Sequence, residues 1–198
     1  MKVKPMIFNT EMVKAILDGR KAVTRRPVKV DYERGMNGPV VRGKNGEVSV
    51  LSFAPIAGLC PFGNVGDLIY VRETFRLFNN SDECGCSDHC SCPPTGTPIY
   101  LATSGDDSES KWTPSIHMPR SVNRLTLKVT GVHIEKLNDL RKSEEQIKKE
   151  GFENWPRFKH VWESIYGQSN PNDYVWVIEF EVIHQNVDKY LESIGEAA

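Results

Sequence analysis

An amine and a hydroxyl stand three residues apart in Gly19-Arg20-Lys21-Ala22-Val23-Thr24-Arg25-Arg26. A hydroxyl with an amine beside it can be a nucleophile with its base. In an extended segment side chains alternate, so Thr24 and Arg26 share one face and can project together into a cleft. Lys21 joins them only where a turn bends it round. The competing reading is a solvated basic turn, since short motifs match by chance often.

A carboxylate to complete such a set occurs at Glu150. Ser143-Glu144-Glu145-Gln146 has capping-box spacing and predicts a helix that ends near Glu150-Gly151. A carboxylate at a helix C-terminus opposes the macrodipole by about 0.3–1 kcal/mol. Lys148 and Lys149 can offset that cost as a solvated last turn, so a functional role for Glu150 needs a partner such as Lys21. Arg72 and Glu73 close an apolar strand, where only one of two neighbours can point inward. A buried carboxylate there needs a paired charge or hydrogen bonds, and a structural ion pair and a pocket role stand equally open.

Cys84-Gly-Cys86 and Cys90-Ser-Cys92 form two Cys-x-Cys arms three residues apart. Four thiolates at about 2.3 Å would satisfy a structural Zn²⁺, and a stretch so poor in apolar residues needs something to order it. His89 is a possible substitute ligand; a reduced loop or local disulfides are the alternatives. Trp112, beside Pro114 and upstream of His117 and Arg120, is the tryptophan placed to act as a base-stacking platform. There is no Walker loop, dinucleotide glycine fingerprint or His-Glu-x-x-His helix, and no organic cofactor is expected.

The elements that must position these groups are readable. Asn9 or Thr10 can cap a helix whose stripe is Met12, Val13, Ile16 and Leu17, with Gly19 as its left-handed exit. Asp31 to Asn45 reads as a loop or loose hairpin, and Val48 to Phe53, Leu68 to Phe75 and Ile99 to Ala102 as strands. Leu125 to Leu137 is a long alternating strand with a bulge expected at Gly131. Phe158, Val161, Trp162, Ile165 and Tyr166 mark a helix stopped by Gly167, and Tyr174 to Ile183 a last strand with Trp176, Ile178, Phe180 and Val182 on one face. Strands and grouped helices in this order predict an α+β fold, with a mostly antiparallel sheet of about six strands curled into a small barrel. Residues 1–185 form one domain carrying a cysteine-rich insertion at 79–96, and 186–198 are a C-terminal tail.

With 198 residues, 39% hydrophobic and 26% charged, the composition is that of an ordinary globular domain. No apolar run approaches the roughly 20 residues of a membrane helix, and the start lacks a secretory h-region, so no membrane partner and a cytoplasmic location are expected. The charge is uneven: residues 1–45 hold 11 Lys or Arg against 4 Asp or Glu, a balance of +7, and the remainder balances to −8. That fits an anionic ligand at the first segment, and fits a plain intramolecular dipole as well.

Four pieces together resemble the phage and prophage branch of the ASCH domain family, which are PUA-like small β-barrels. They are Ala15 to Arg26, Gly66-Asp67 leading to Val71-Arg72-Glu73-Thr74, Ile116-His117-Met118-Pro119-Arg120, and Val175 to Phe180. One ASCH enzyme type, the bacterial N4-acetylcytidine amidohydrolase, uses a Lys, a Thr and a Glu, which map to Lys21, Thr24 and Glu150. The resemblance implies Thr24 as nucleophile, Lys21 as its base and Glu150 as orienter or proton donor. It implies a nucleoside or RNA partner met by Arg25, Arg26, Arg72, Glu73, Trp112, His117 and Arg120, and a bacterial host cytosol if the chain is phage-encoded. Other members are thought to bind or cut RNA, so a binding module or ribonuclease stands as the alternative to the amidohydrolase.

Overall fold

Two long antiparallel strands, Thr126–Lys136 and Tyr174–Ile183, form the spine of the molecule. The structure, a computed structural model, describes residues 1–29, 40–42, 48–50, 59–83, 91–105, 110–168 and 170–196. In chain order the strands are β1 (Val3–Ile7), β2 (Val23–Pro27), β3 (Val40–Arg42), β4 (Val48–Val50), β5 (Leu68–Arg72), β6 (Phe75–Leu77), β7 (Pro98–Tyr100), β8 (Thr126–Lys136) and β9 (Tyr174–Ile183). The helices are α1 (Thr10–Leu17), α2 (Asn80–Glu83), α3 (Leu101–Ser104), α4 (Leu137–Leu140), α5 (Glu144–Lys149), α6 (Trp155–Tyr166) and α7 (Val187–Ser193).

The main sheet has the order β1-β5-β8-β9-β2, and the pairs β3-β4 and β6-β7 lie outside it. β1 runs parallel to β5 and the other ladders are antiparallel, so the fold is α+β as expected. The expected closed barrel is not found. Among the described residues β1 and β2 are the two edges, and no backbone ladder joins them. Each edge strand contains a proline, Pro5 or Pro27, which has no N–H to donate to a ladder. A side chain bridges the seam instead: Arg26 Nη2 donates to the Ile7 carbonyl at 2.9 Å.

The spine matches its sequence pattern. Pairing of β8 with β9 shifts register between Val129 and Gly131, at the expected bulge. Trp176, Ile178 and Phe180 are buried, and so are Val175 and Val177 on the opposite face, so β9 is covered on both sides. Asn9 caps α1 by accepting from the Met12 N–H at 2.8 Å, and Gly19 leaves it at φ 71°. Asn154 caps α6, whose Phe158, Val161 and Trp162 face the core. Ser143 accepts from the Gln146 N–H and opens α5.

Three further expectations change, and one strand, at the N-terminus, was not foreseen. The strand expected through Ala102 stops at Tyr100, because its last rung pairs Tyr100 with Phe75, the first residue of β6, and the chain then coils into α3. Residues 187–193 are a helix rather than a tail: Asn186 caps α7, and Val187 and Leu191 pack on Leu68 of β5. The charged N-terminal stretch is an edge strand, β1. Leu68 to Phe75 divides into β5 and β6 around Glu73-Thr74. Residues 51–53, most of the loop expected at 31–45, and 84–90 of the cysteine-rich insertion lie outside the described residues.

Candidate active site and ligand cleft

The turn after α1 carries Lys21 inward. Its backbone N–H donates to the Ala15 carbonyl at 2.9 Å, the Ala22 N–H donates to the Lys149 carbonyl at 2.8 Å, and Lys21 and Glu150 form an isolated antiparallel bridge. The close approach of α5 to α1 depends on Gly151, which has φ 89°. A Cβ there would lie 2.7 Å from the Ala15 Cβ and 3.2 Å from the Lys21 Cβ, so only glycine fits both the conformation and the space.

Lys21 Nζ donates to the Val23 carbonyl at 2.8 Å, the Glu150 carbonyl at 2.8 Å and Glu150 Oε2 at 2.6 Å. Arg25 Nη1 donates to Glu150 Oε1 at 3.0 Å, Nε to Glu135 Oε1 at 2.7 Å and Nη2 to Gln146 Oε1 at 3.3 Å. Each oxygen of the Glu150 carboxylate thus meets a cation, and the Lys21, Arg25 and Glu150 side chains are 0%, 1% and 2% exposed. Glu150 is therefore no solvated helix end. Lys149, its sequence neighbour, pairs with Glu145 on the surface. Burial lowers the Lys21 pKa from the usual lysine range, and Arg26 and Arg25 act in the same direction against the pull of Glu150.

Thr24 is fully buried opposite Ile178 of β9. With Arg25, Arg26, Glu150 and Tyr166 it lines a recess of about 10 Å³, the room of roughly one water. The direct Lys21–Thr24 hydrogen bond expected from the sequence is not formed. The three Lys21 protons go to other acceptors, and no hydrogen bond of the Thr24 hydroxyl occurs among the described residues.

Beside this recess lies a cleft of about 670 Å³, in the size range of small-molecule sites. It occupies the seam between the two edge strands. Phe8, Arg26, Arg72, Thr74, Ser115 and Tyr166 are among its walls, and no Asp or Glu among the described residues lines it. Arg26 and Tyr166 line both spaces and are joined by a hydrogen bond from Arg26 Nη1 to the Tyr166 hydroxyl at 3.0 Å. Arg26 also stacks over the Phe8 ring, 5.3 Å from its centroid. Tyr166 ends a row of rings along α6, with Trp155, Phe158, Trp162 and Tyr166 successively 5.5, 5.6 and 4.6 Å apart.

The remaining expected contacts separate from the cleft. Glu73 is buried in a two-pronged pair with Arg124, whose Nε and Nη2 each donate to a carboxylate oxygen at 2.9 Å. That resolves its role as structural, because the partner charge a buried carboxylate needs is supplied within the fold. Trp112 is covered by the Arg76 guanidinium, 5.4 Å from its ring, and is not a wall of the cleft. His117 is exposed, and Arg120 pairs with Asp188 of α7. Arg72 does reach the cleft, held by hydrogen bonds to the Met118 and Ile116 carbonyls. Of the four proposed metal ligands only Cys92 is among the described residues; Cys84, Cys86 and Cys90 are not.

Compared with family models, curated proteins and solved structures, the chain matches none. Tyr166, Phe8, Glu135 and Gln146 belong to the site although the motif reading passed over them. Tyr166 was readable as the one hydroxyl at the end of an apolar stripe. Glu135 sits on a polar position of an alternating strand, and nothing local distinguishes it from a solvated residue.

Proposed function

We propose that this chain is a PUA-like ASCH protein of the cytosol that hydrolyses an amide on an acylated nucleoside, alone or within RNA. One observation carries the reading: Thr24, a buried residue whose hydroxyl makes no hydrogen bond among the described residues, shares a recess with Glu150 beside a cleft that no described Asp or Glu lines. In the resting state Lys21 is held as an ammonium by three acceptors. Passing one proton to Glu150 Oε2, 2.6 Å away, frees a lone pair on Nζ, and the desolvation that lowers the lysine pKa favours that transfer. The neutral amine then takes the Thr24 proton as Oγ1 bonds to the amide carbon. The Glu150 proton goes to the leaving amine, an ester remains on Thr24, and water cleaves it to a carboxylic acid and the free hydroxyl. Entry of the acyl group requires Tyr166 and Arg26 to part.

The test is a screen of N-acylated nucleosides and short RNAs, with released amine and acid quantified by chromatography. Turnover of at least one N-acyl nucleoside is expected. Short RNA bound with a steep salt dependence, and no turnover, would put the binding module in the enzyme's place.

The cysteine-rich insertion is proposed to hold one structural Zn²⁺ through Cys84, Cys86, Cys90 and Cys92. Elemental analysis of protein purified without chelator should then find about one zinc per chain, and loss of the ion should leave turnover at Thr24 intact. A zinc-free protein in which residues 84–92 resist proteolysis would contradict it.

A further inference from the structure

We infer that the cleft is built for a ligand that carries phosphate, so that a nucleotide rather than a bare nucleoside is bound, with its phosphate held by Arg26 and Arg72. The inference rests on reading this cleft as the ligand site and does not depend on hydrolysis. Its basis is the distribution of charge. Lys21 and Arg25 are balanced by Glu150 and Glu135. Arg26, 7% exposed, is left over: its partners are the Tyr166 hydroxyl, the Ile7 carbonyl and the Phe8 ring, all uncharged. A guanidinium does not neutralise by losing its proton, so a buried one without a counter-charge is costly until an anion arrives.

Arg72 repeats the arrangement on the other side of the seam. It ends β5, paired with Ile7 of β1, and its side-chain partners are two backbone carbonyls. Each arginine has five N–H donors and uses two, so both retain donors for a ligand. No carboxylate among the described residues pairs with either. Glu11, at the start of α1, has its carboxylate on Arg157, 2.9 Å away and outside the cleft.

Two arginines lining one space match the several oxygens of a phosphate, since a guanidinium can meet them bidentately. Asn9 and Thr10 also line the cleft, so the positive end of the α1 dipole lies at the same wall. The rest of the lining is mainly apolar, and Phe62 and Tyr166 bring aromatic side chains to it for a base. The phosphate can come from a free mononucleotide or from the terminal nucleotide of an RNA.

The experiment is calorimetric titration of the intact protein with the four nucleoside 5′-monophosphates, their nucleosides, and a 5′-phosphorylated tetraribonucleotide. At least one phosphorylated ligand should bind at least about tenfold tighter than its unphosphorylated form, as charge-assisted bonds to two arginines imply. Arg72→Gln and Arg26→Gln should each remove most of that gain. Arg72→Gln is the deciding variant, because its side chain is half-buried and bonded to loop carbonyls, and an unchanged unfolding midpoint will show that it folds. A tight mononucleotide identifies a free nucleotide as the source, and a tight tetranucleotide with a weak mononucleotide identifies RNA. Equal binding with and without phosphate, no binding of either, or a phosphate gain that survives Arg72→Gln would each overturn the inference. Phosphate-dependent binding here with no turnover in the N-acyl screen would sink the hydrolase and leave this inference standing; turnover of N-acyl substrates with equal binding with and without phosphate would do the reverse.

Discussion

Replacing Glu150 by Gln is expected to destabilise the fold by about 3–5 kcal/mol, the usual cost of removing one partner from a buried ion pair. The carboxylate meets Lys21 on one oxygen and Arg25 on the other, with all three side chains at most 2% exposed. Glutamine fills the same volume and keeps one acceptor, so what is lost is the charge. Arg25 retains Glu135, whereas the Lys21 ammonium keeps only the Val23 and Glu150 carbonyls. Glu135→Gln is the control, because Glu135 is 22% exposed in its side chain and solvent can compensate; its effect should be well under half as large. Urea unfolding followed by tryptophan fluorescence measures both. A loss under about 1 kcal/mol for Glu150→Gln would mean that water enters the cluster and that its charges are not desolvated.

The second large effect concerns rate. Thr24→Ala should lower turnover of an acylated nucleoside by about a thousandfold or more, since removing a nucleophile leaves only the contribution of binding and electrostatics. Its stability should change by no more than about 1.5 kcal/mol, the scale of deleting a small buried group, because the hydroxyl removed makes no hydrogen bond among the described residues. Ligand affinity should stay within a few-fold. Thr24→Ser, which keeps the hydroxyl, should retain most of the lost rate. Turnover by Thr24→Ala within tenfold of the parent protein would end the role of Thr24 as nucleophile, whatever becomes of the cleft.

Elements governed by local rules were legible in the sequence. The caps at Asn9 and Ser143, the bulge at Gly131 and the alternation of β9 follow from hydrogen-bond satisfaction and side-chain period, which act over a few residues. The tail at 186–198 was misread although Asn186 followed by Val187, Tyr190, Leu191 and Ile194 carries a helical period. Barrel closure was not legible, because whether two edges pair depends on the curl of the whole sheet and not on either strand. The gathering of Lys21, Thr24 and Glu150 came from motif resemblance, and the geometry adds what spacing cannot hold: three acceptors already claim the lysine. Glu73 shows the opposite limit. Its sequence setting was compatible with a pocket or a pair, and only the position of Arg124, 51 residues away, decides between them.

The Lys21–Glu150 bridge also constrains the order in which the molecule can be made. Lys21 is separated from Glu150 by 129 residues, Arg25 from Glu135 by 110 and Arg26 from Tyr166 by 140. The carboxylates that balance Lys21 and Arg25 and the hydroxyl that meets Arg26 are therefore all distant in the chain, and closing such loops is an early entropic cost that slows folding. While the chain is being synthesised from its N-terminus, α1 and β2 emerge long before β9, α5 and α6, which they need as sheet neighbour, counter-charge and cover. An incomplete chain thus exposes three cations and an unpaired edge strand together. Its assembly waits on the stretch from Glu150 to Ile183, and a ribosome that stalls before Glu150 leaves a basic, strand-forming fragment for chaperones or proteases to handle.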